Sequence, residues 1–98
     1  MQRFDLVSLR FYKEAIINLC NKYHASNVQV FGSVARNEAT EKSDIDLLVD
    51  LPLYTSALDY VALQRELTTL LQRKVDLIIA DSIHPYLKEK ILKEAIKL

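Results

Sequence analysis

Three short stretches rich in apolar residues, with a few polar residues among them, predict three β-strands. The stretches are residues 28–31, 44–51 and 75–80. Successive side chains of a strand point to opposite faces, so Ile45, Leu47 and Val49 are expected in the core. The same alternation places Asp44 and Asp46 side by side on the other face.

Apolar residues that recur every three or four positions predict three α-helices. They are residues 8–23, 57–72 and 85–97. Ser8 and Ser56 are suitable N-caps, and Pro85 suits a first helical turn. Phe11 and Tyr23 belong to the apolar stripe of the first helix. The six elements predict a small α/β domain in which helices cover one face of a mixed sheet.

Length and charge narrow the class of protein. The 98 residues are expected to form one domain, 1–98, around one core. Basic and acidic side chains are equal in number, and the lysines near the end are expected on the solvated face of the last helix. Because nucleic-acid binders usually carry a basic patch, direct nucleic-acid binding is not expected.

The cysteine content and the hydropathy of the chain indicate where the protein is found. Cys20 is the single cysteine, which excludes an internal disulfide, and it lies on an apolar stripe where burial is expected. The sequence has no signal peptide and no apolar run of membrane length. A cytoplasmic protein is therefore expected.

The segment 28–50 contains a turn with candidate phosphate chemistry. Its first strand leads into Gly32 and Ser33. Glycine allows the backbone to approach a ligand closely, and serine is a favoured helix N-cap. If Val34 opens a short helix, its free N–H groups would form an anion site.

Three aspartates near this turn are candidate metal ligands. Asp44 and Asp46 repel each other unless a cation lies between them, and Mg²⁺ is typically held by carboxylates together with substrate phosphates. Asp76 lies within an otherwise apolar strand, where an unpaired charge is costly. Its partner is either a metal shared with the other two aspartates or a nearby Lys or Arg.

The order of these motifs resembles a known family. G-S-x-A-R followed by S-D-I-D-L-L-V resembles the signature of the DNA polymerase β-like nucleotidyltransferases. More closely, the chain resembles their smallest members, the minimal nucleotidyltransferases (MNT), which include MntA-type antitoxins. Residues 74–78 and 82–95 extend the resemblance. Asn37 departs from it, because glycine is expected after the arginine.

The resemblance implies a polymerase β-like fold and an activity. A nucleoside monophosphate would pass from a triphosphate, ATP, to an acceptor hydroxyl, with release of pyrophosphate. Asp44 and Asp46 would bind two Mg²⁺ ions. Asp76 would hold the metal at the acceptor and help to deprotonate its hydroxyl.

The resemblance also assigns the phosphate-binding residues. Gly32 and Ser33 would hold the β- and γ-phosphates. Arg36 would either neutralise phosphate charge or brace the loop against an acid, and both roles stay open. Tyr54 and Tyr60 could stack on a purine, although half-buried structural tyrosines are the commoner case.

The partner follows from the resemblance and from the small size of the chain. MNT proteins of this kind are paired with a HEPN-domain ribonuclease toxin, which they modify with AMP, on a tyrosine. The acceptor surface would come from that partner or from a second copy, so a hetero- or homo-oligomer is possible. Two alternatives remain: a non-catalytic antitoxin that occludes its partner, and an enzyme that nucleotidylates a small molecule.

Overall fold

Strands and helices alternate in the computed structural model, which describes residues 5–98. The elements are α1 (Leu6–Phe11), α2 (Lys13–Lys22), β1 (Ser26–Phe31), α3 (Gly32–Ala35), β2 (Ile45–Asp50), α4 (Ala57–Leu71), β3 (Val75–Ile79), α5 (Pro85–Glu94) and β4 (Ile96–Lys97). A 3₁₀ turn, Ala80–Ser82, follows β3. The prediction of an α/β fold with a small mixed sheet is confirmed. Residues 1–4 of the predicted domain lie outside the described residues.

The four strands form one sheet in the order β3-β2-β1-β4. β1 runs antiparallel to β2 and to β4, whereas β2 and β3 are parallel. Parallel neighbours need a crossover, and α4 provides it. Val30 lies opposite Leu47 on the core face, and Asp46 lies beside Asp76 on the other face.

The main core lies between one face of the sheet and the helices α2 and α4. Its residues are buried and include Ile16, Cys20, Val30, Leu47, Leu63, Leu67 and Leu77. Burial raises the pKa of the Cys20 thiol to about 11. Within residues 5–98, no helix is long and apolar enough to cross a membrane.

The first predicted helix is in fact two helices. The backbone leaves helical geometry at Tyr12, and Asp5 caps α1 by accepting a hydrogen bond from the Ser8 N–H at 2.8 Å. The prediction of Ser8 as the cap was therefore wrong. Phe11 is 86% exposed, since the break at Tyr12 changes the register of the apolar stripe, and Leu9 is buried instead.

The last predicted helix ends three residues early. α5 stops at Glu94, and residues 96–97 form β4, which pairs with Gln29 and Val30 of β1. This pairing covers an edge of β1 that would otherwise be open, and open edges are a liability. Leu98 continues in the same direction, where it is buried and donates its N–H to the Val28 carbonyl at 3.2 Å.

Helix α5 also changes the predicted layering. The prediction placed the helices on one face of the sheet, but α5 lies on the other face, against β1 and α3. This position puts α5 beside the face that carries Asp46 and Asp76.

Candidate active site

The parallel pairing of β2 and β3 brings two carboxylates together. Asp46 and Asp76 are register partners, so both side chains lie on the face opposite the core. Asp44 directly precedes β2 at the same end of the sheet. All three line one solvent-open cavity of about 460 Å³, together with Gly32 and Ser33. That volume lies within the range of small-molecule sites.

Crowding among the carboxylates shows in the acidity of Asp46. Its pKa is raised to about 6, first by burial, then by the charges of Asp76 and Asp44 and a hydrogen bond with Asp76. Arg36 acts in the opposite direction but does not cancel these effects. A cation bound among the three aspartates would relieve this repulsion.

Asp44 has a cationic neighbour on the protein. The Lys74 Nζ lies 3.7 Å from Asp44 Oδ2, and both side chains are partly exposed. In the described part of the chain, no three His, Cys, Asp or Glu side chains are already grouped closely enough to hold a metal ion. The all-oxygen donor set and the raised Asp46 pKa nevertheless fit Mg²⁺, which would compete with Lys74 for Asp44.

Gly32 is placed where a side chain has no room. Its φ is +72°, and a Cβ there would lie 2.1 Å from Asp46 Oδ2. The glycine therefore allows the backbone turn and the aspartate to approach each other. α3 begins at Gly32 with Phe31 as its N-cap, so the predicted capping role of Ser33 was wrong. Ser33 lies within this four-residue helix and lines the cavity.

Asn37 occupies the position where the family pattern has glycine, and its backbone conformation explains why asparagine is tolerated there. It lies just after the α3 helix with φ +58°, in the left-handed region. Glycine adopts this region freely, and asparagine is among the few other residues that tolerate it. The substitution therefore preserves the turn.

The turn is bound by Glu94, a carboxylate that was not among the predicted site residues. Glu94 Oε1 accepts a hydrogen bond from the Gly32 N–H at 2.9 Å, and Arg36 Nη1 lies 3.1 Å from Glu94 Oε2. Burial acts to raise the pKa of Glu94, but the Gly32 N–H and Arg36 lower it overall. Arg36 also donates to Glu38 at 3.3 Å. Of the two roles left open for Arg36, the structure shows the bracing contact with an acid.

Helix α5 supplies a wall of the cavity that was predicted to be solvated surface. Leu87, Lys90, Ile91 and Glu94 all line it. Their spacing of i, i+3, i+4 and i+7 places them on one helical face. The sequence did contain a sign that this face of α5 belongs to a site. Lys90 and Glu94 lie on an otherwise apolar stripe, which charged residues usually avoid.

Other candidate residues lie elsewhere. The Tyr60 hydroxyl donates to the Leu77 carbonyl, which is a structural contact. Tyr54 is 79% exposed, and neither tyrosine lines the cavity. Asp50, at the far end of β2, accepts a hydrogen bond from the Asn27 side chain at 3.2 Å and does not line the cavity.

Comparisons of the sequence identify relatives. The family model described as a nucleotidyltransferase domain matches residues 13–98. A provisionally named protein adenylyltransferase of Methanocaldococcus jannaschii is 45% identical over 84 residues, covering 86% of this chain and 90% of the relative. The protein adenylyltransferase MntA of Thermococcus cleftensis is 35% identical over 78 residues, covering 80% of this chain and 79% of the relative.

Solved structures share the fold. One described provisionally as a minimal nucleotidyltransferase has a TM-score of 0.85 and 45% sequence identity, and the match covers 96% of each chain. A toxin–antitoxin crystal structure with AMP-PNP has a TM-score of 0.76 at 22% identity, covering 87% of this chain and 70% of the other. At that identity the likeness shows the fold alone. This chain therefore belongs to the nucleotidyltransferase domain family, and it is a minimal nucleotidyltransferase related to the protein adenylyltransferases.

Proposed function

We propose that this chain, acting as one minimal domain, transfers AMP from ATP to a hydroxyl of a partner protein. The proposed partner is a HEPN ribonuclease toxin modified on a tyrosine, and the chain is its antitoxin. The observation that carries the proposal is one cavity lined by Asp44, Asp46, Asp76 and the Gly32–Ser33 turn. The names of the relatives support AMP as the transferred group and a protein as its acceptor.

The aspartates would work as a unit. Asp44 and Asp46 would hold two Mg²⁺ ions, with Asp76 as a further ligand on the acceptor side. When bound, these ions would neutralise charge on the attacking and leaving oxygens. The acceptor oxygen would form a bond to the α-phosphorus. The bond between that phosphorus and the oxygen that bridges the α- and β-phosphates would break. Asp76 would accept the hydroxyl proton, and pyrophosphate would leave.

The turn would hold the phosphates of ATP. Ser33 lines the cavity, and its hydroxyl would be a donor to a phosphate oxygen. The Gly32 N–H is engaged by Glu94, and Arg36 is engaged by the same carboxylate. A phosphate that binds the Gly32 N–H or Arg36 would therefore have to displace the Glu94 carboxylate from that group, or bind the group at the same time as Glu94.

The acceptor would enter from outside the described chain. The cavity is open to solvent, and the described residues that line it come from the end of β1, the turn at 32–36, the start of β2 with the residues just before it, β3 and α5. A protein hydroxyl therefore has access without displacing a folded element. The HEPN identity of the partner rests on the resemblance to MntA-type antitoxins, and the toxin–antitoxin likeness in fold is consistent with it.

The test is the intact mass of a HEPN partner co-expressed with this chain. Wild type should add the mass of one or more AMP units, and peptide mapping should place the addition on a tyrosine. The double variant Asp44→Asn/Asp46→Asn should add none. Asp50→Asn is the matched control, because Asp50 lies on the same strand but away from the cavity, and it should behave like wild type.

An unmodified partner that forms an equally stable, silenced complex with wild type and with the double variant would contradict AMP transfer. That result would support the occluding antitoxin. Modification of added small hydroxyl compounds, with the partner unmodified, would support the small-molecule alternative.

A further inference from the structure

Glu94 fixes the position of α5 over the cavity. Its carboxylate is held by the Gly32 N–H at 2.9 Å and by Arg36 at 3.1 Å, and its side chain is 22% exposed. Lys90 lies four residues earlier on the same helix, which is one turn and about 6 Å along the axis. The anchored helix therefore holds Lys90 beside the acidic face of the sheet, where it lines the cavity.

Lys90 differs from the other cations around this cavity. Arg36 is occupied by Glu94 and Glu38, and Lys74 is within 3.7 Å of Asp44. Among residues 5–98, no carboxylate lies within ion-pair distance of the Lys90 ammonium. Its charge lowers the pKa of Glu94, so the two groups are near each other without forming a contact pair.

We propose that Lys90 binds the β- or γ-phosphate of the nucleotide and the pyrophosphate that leaves. This inference rests on the proposed function, since it assumes a nucleoside triphosphate in the cavity. A flexible lysine can move several ångströms to meet a phosphate, as a point charge. Because Asp44 and Asp46 are assigned to the metal ions, Lys90 supplies positive charge on the opposite wall, where the leaving group carries its negative charge.

The test is calorimetric binding of an ATP analogue with a methylene bridge between the α- and β-phosphates, in the presence of Mg²⁺. Lys90→Met should weaken binding of the analogue about tenfold, as for one exposed charge-assisted contact. The affinity for AMP, which lacks the β- and γ-phosphates, should differ by less than about twofold between wild type and Lys90→Met. Lys90→Arg should restore most of the loss, since it keeps the charge.

Lys88→Met is the matched control. Lys88 is also exposed on α5, but it does not line the cavity, so its removal should leave binding unchanged. Equal affinity of Lys90→Met and wild type for the analogue would overturn the inference while leaving the proposed function intact. Equal losses for AMP and for the analogue would also overturn it, because they would indicate a disturbed site. No binding of the analogue by wild type would overturn the proposed function and this inference together.

Discussion

Asp46 is the residue at which the demands of folding and of function conflict most clearly. It is partly buried, it lies beside Asp76 and Asp44, and the Gly32 backbone approaches it so closely that no Cβ would fit. Folding brings these carboxylates together, and their repulsion costs free energy whenever Asp46 is ionised and no cation is bound. A divalent cation bound at the proposed metal site would offset this cost.

The first prediction concerns Asp46→Asn in metal-free solution. The folded pKa of Asp46, about 6, is above its value of 3.8 in an unfolded chain. The folded state therefore holds the proton more tightly, and wild type loses stability as the pH rises from about 4 to about 6. The variant does not titrate there, so its free energy of unfolding should exceed that of wild type by about 1–2 kcal/mol at pH 7.5, allowing for solvent screening.

Urea denaturation in the presence of EDTA at several pH values measures this difference. The two proteins should have nearly equal stability at pH 4, and the gap should open by pH 6.5. Asp50→Asn, outside the cavity, controls for the loss of one acid and should show no such gap. A wild type more stable than Asp46→Asn at pH 7.5 would contradict the account of carboxylate repulsion.

At the scale of elements, the main connection is between α5 and the turn that precedes α3. One carboxylate, Glu94, satisfies a backbone N–H at Gly32 and pairs with Arg36. This contact joins residues 62 positions apart in sequence. It ties α5 to the turn on the acidic face of the sheet.

The second prediction concerns Glu94→Ala. Loss of the acceptor leaves the partly buried Gly32 N–H without its partner, so the free energy of unfolding should fall by about 1–3 kcal/mol. Glu94→Gln should lose less, because its amide oxygen still accepts from Gly32. Urea denaturation measures both variants. Glu89→Ala is the control on the same helix, since Glu89 is 80% exposed and its pair with Lys93 should contribute little.

A Glu94→Ala protein as stable as Glu89→Ala would mean that the observed contacts do not hold α5 in place. The argument that Lys90 is fixed over the cavity would then lose its support.

The elements also show how far sequence reasoning reaches. Strands β2 and β3 were predicted because each is a short, largely apolar run. That Asp46 and Asp76 lie side by side follows from the parallel pairing of the two strands, which the sequence pattern does not give. The end of α5 was not predicted, because a two-residue strand such as Ile96–Lys97 leaves no periodic signal. The role of Glu94 could not be predicted, since it depends on a contact between the two halves of the chain.

Across the whole molecule, a neutral net charge conceals an uneven distribution. Acidic and basic residues are equal in number, yet the cavity is lined by four carboxylates and two cationic side chains. An anionic triphosphate would meet net negative charge there. Cations bound at the proposed metal site would reverse that balance, and nucleotide affinity would then depend on the metal.

The third prediction is therefore a strong dependence of ATP binding on divalent cation. Removal of Mg²⁺ with EDTA should weaken ATP binding by about tenfold or more, because carboxylate–phosphate repulsion is no longer screened. Calorimetric titration measures the affinity. Adenosine, which carries no phosphate, should bind equally with and without the metal. An ATP affinity that does not change on chelation would contradict the assignment of the aspartates to a metal site.

The measurement that tests the central claim most directly is AMP transfer by purified protein, with pyrophosphate and AMP-modified HEPN partner counted in the same reaction. We predict one pyrophosphate for each AMP attached. Asp44→Asn, Asp46→Asn and Asp76→Asn should each lower the rate about a hundredfold or more, as expected when residues act as one unit. Asp50→Asn should keep the wild-type rate. Transfer by the three variants at rates close to wild type, or AMP attachment without pyrophosphate, would contradict the account.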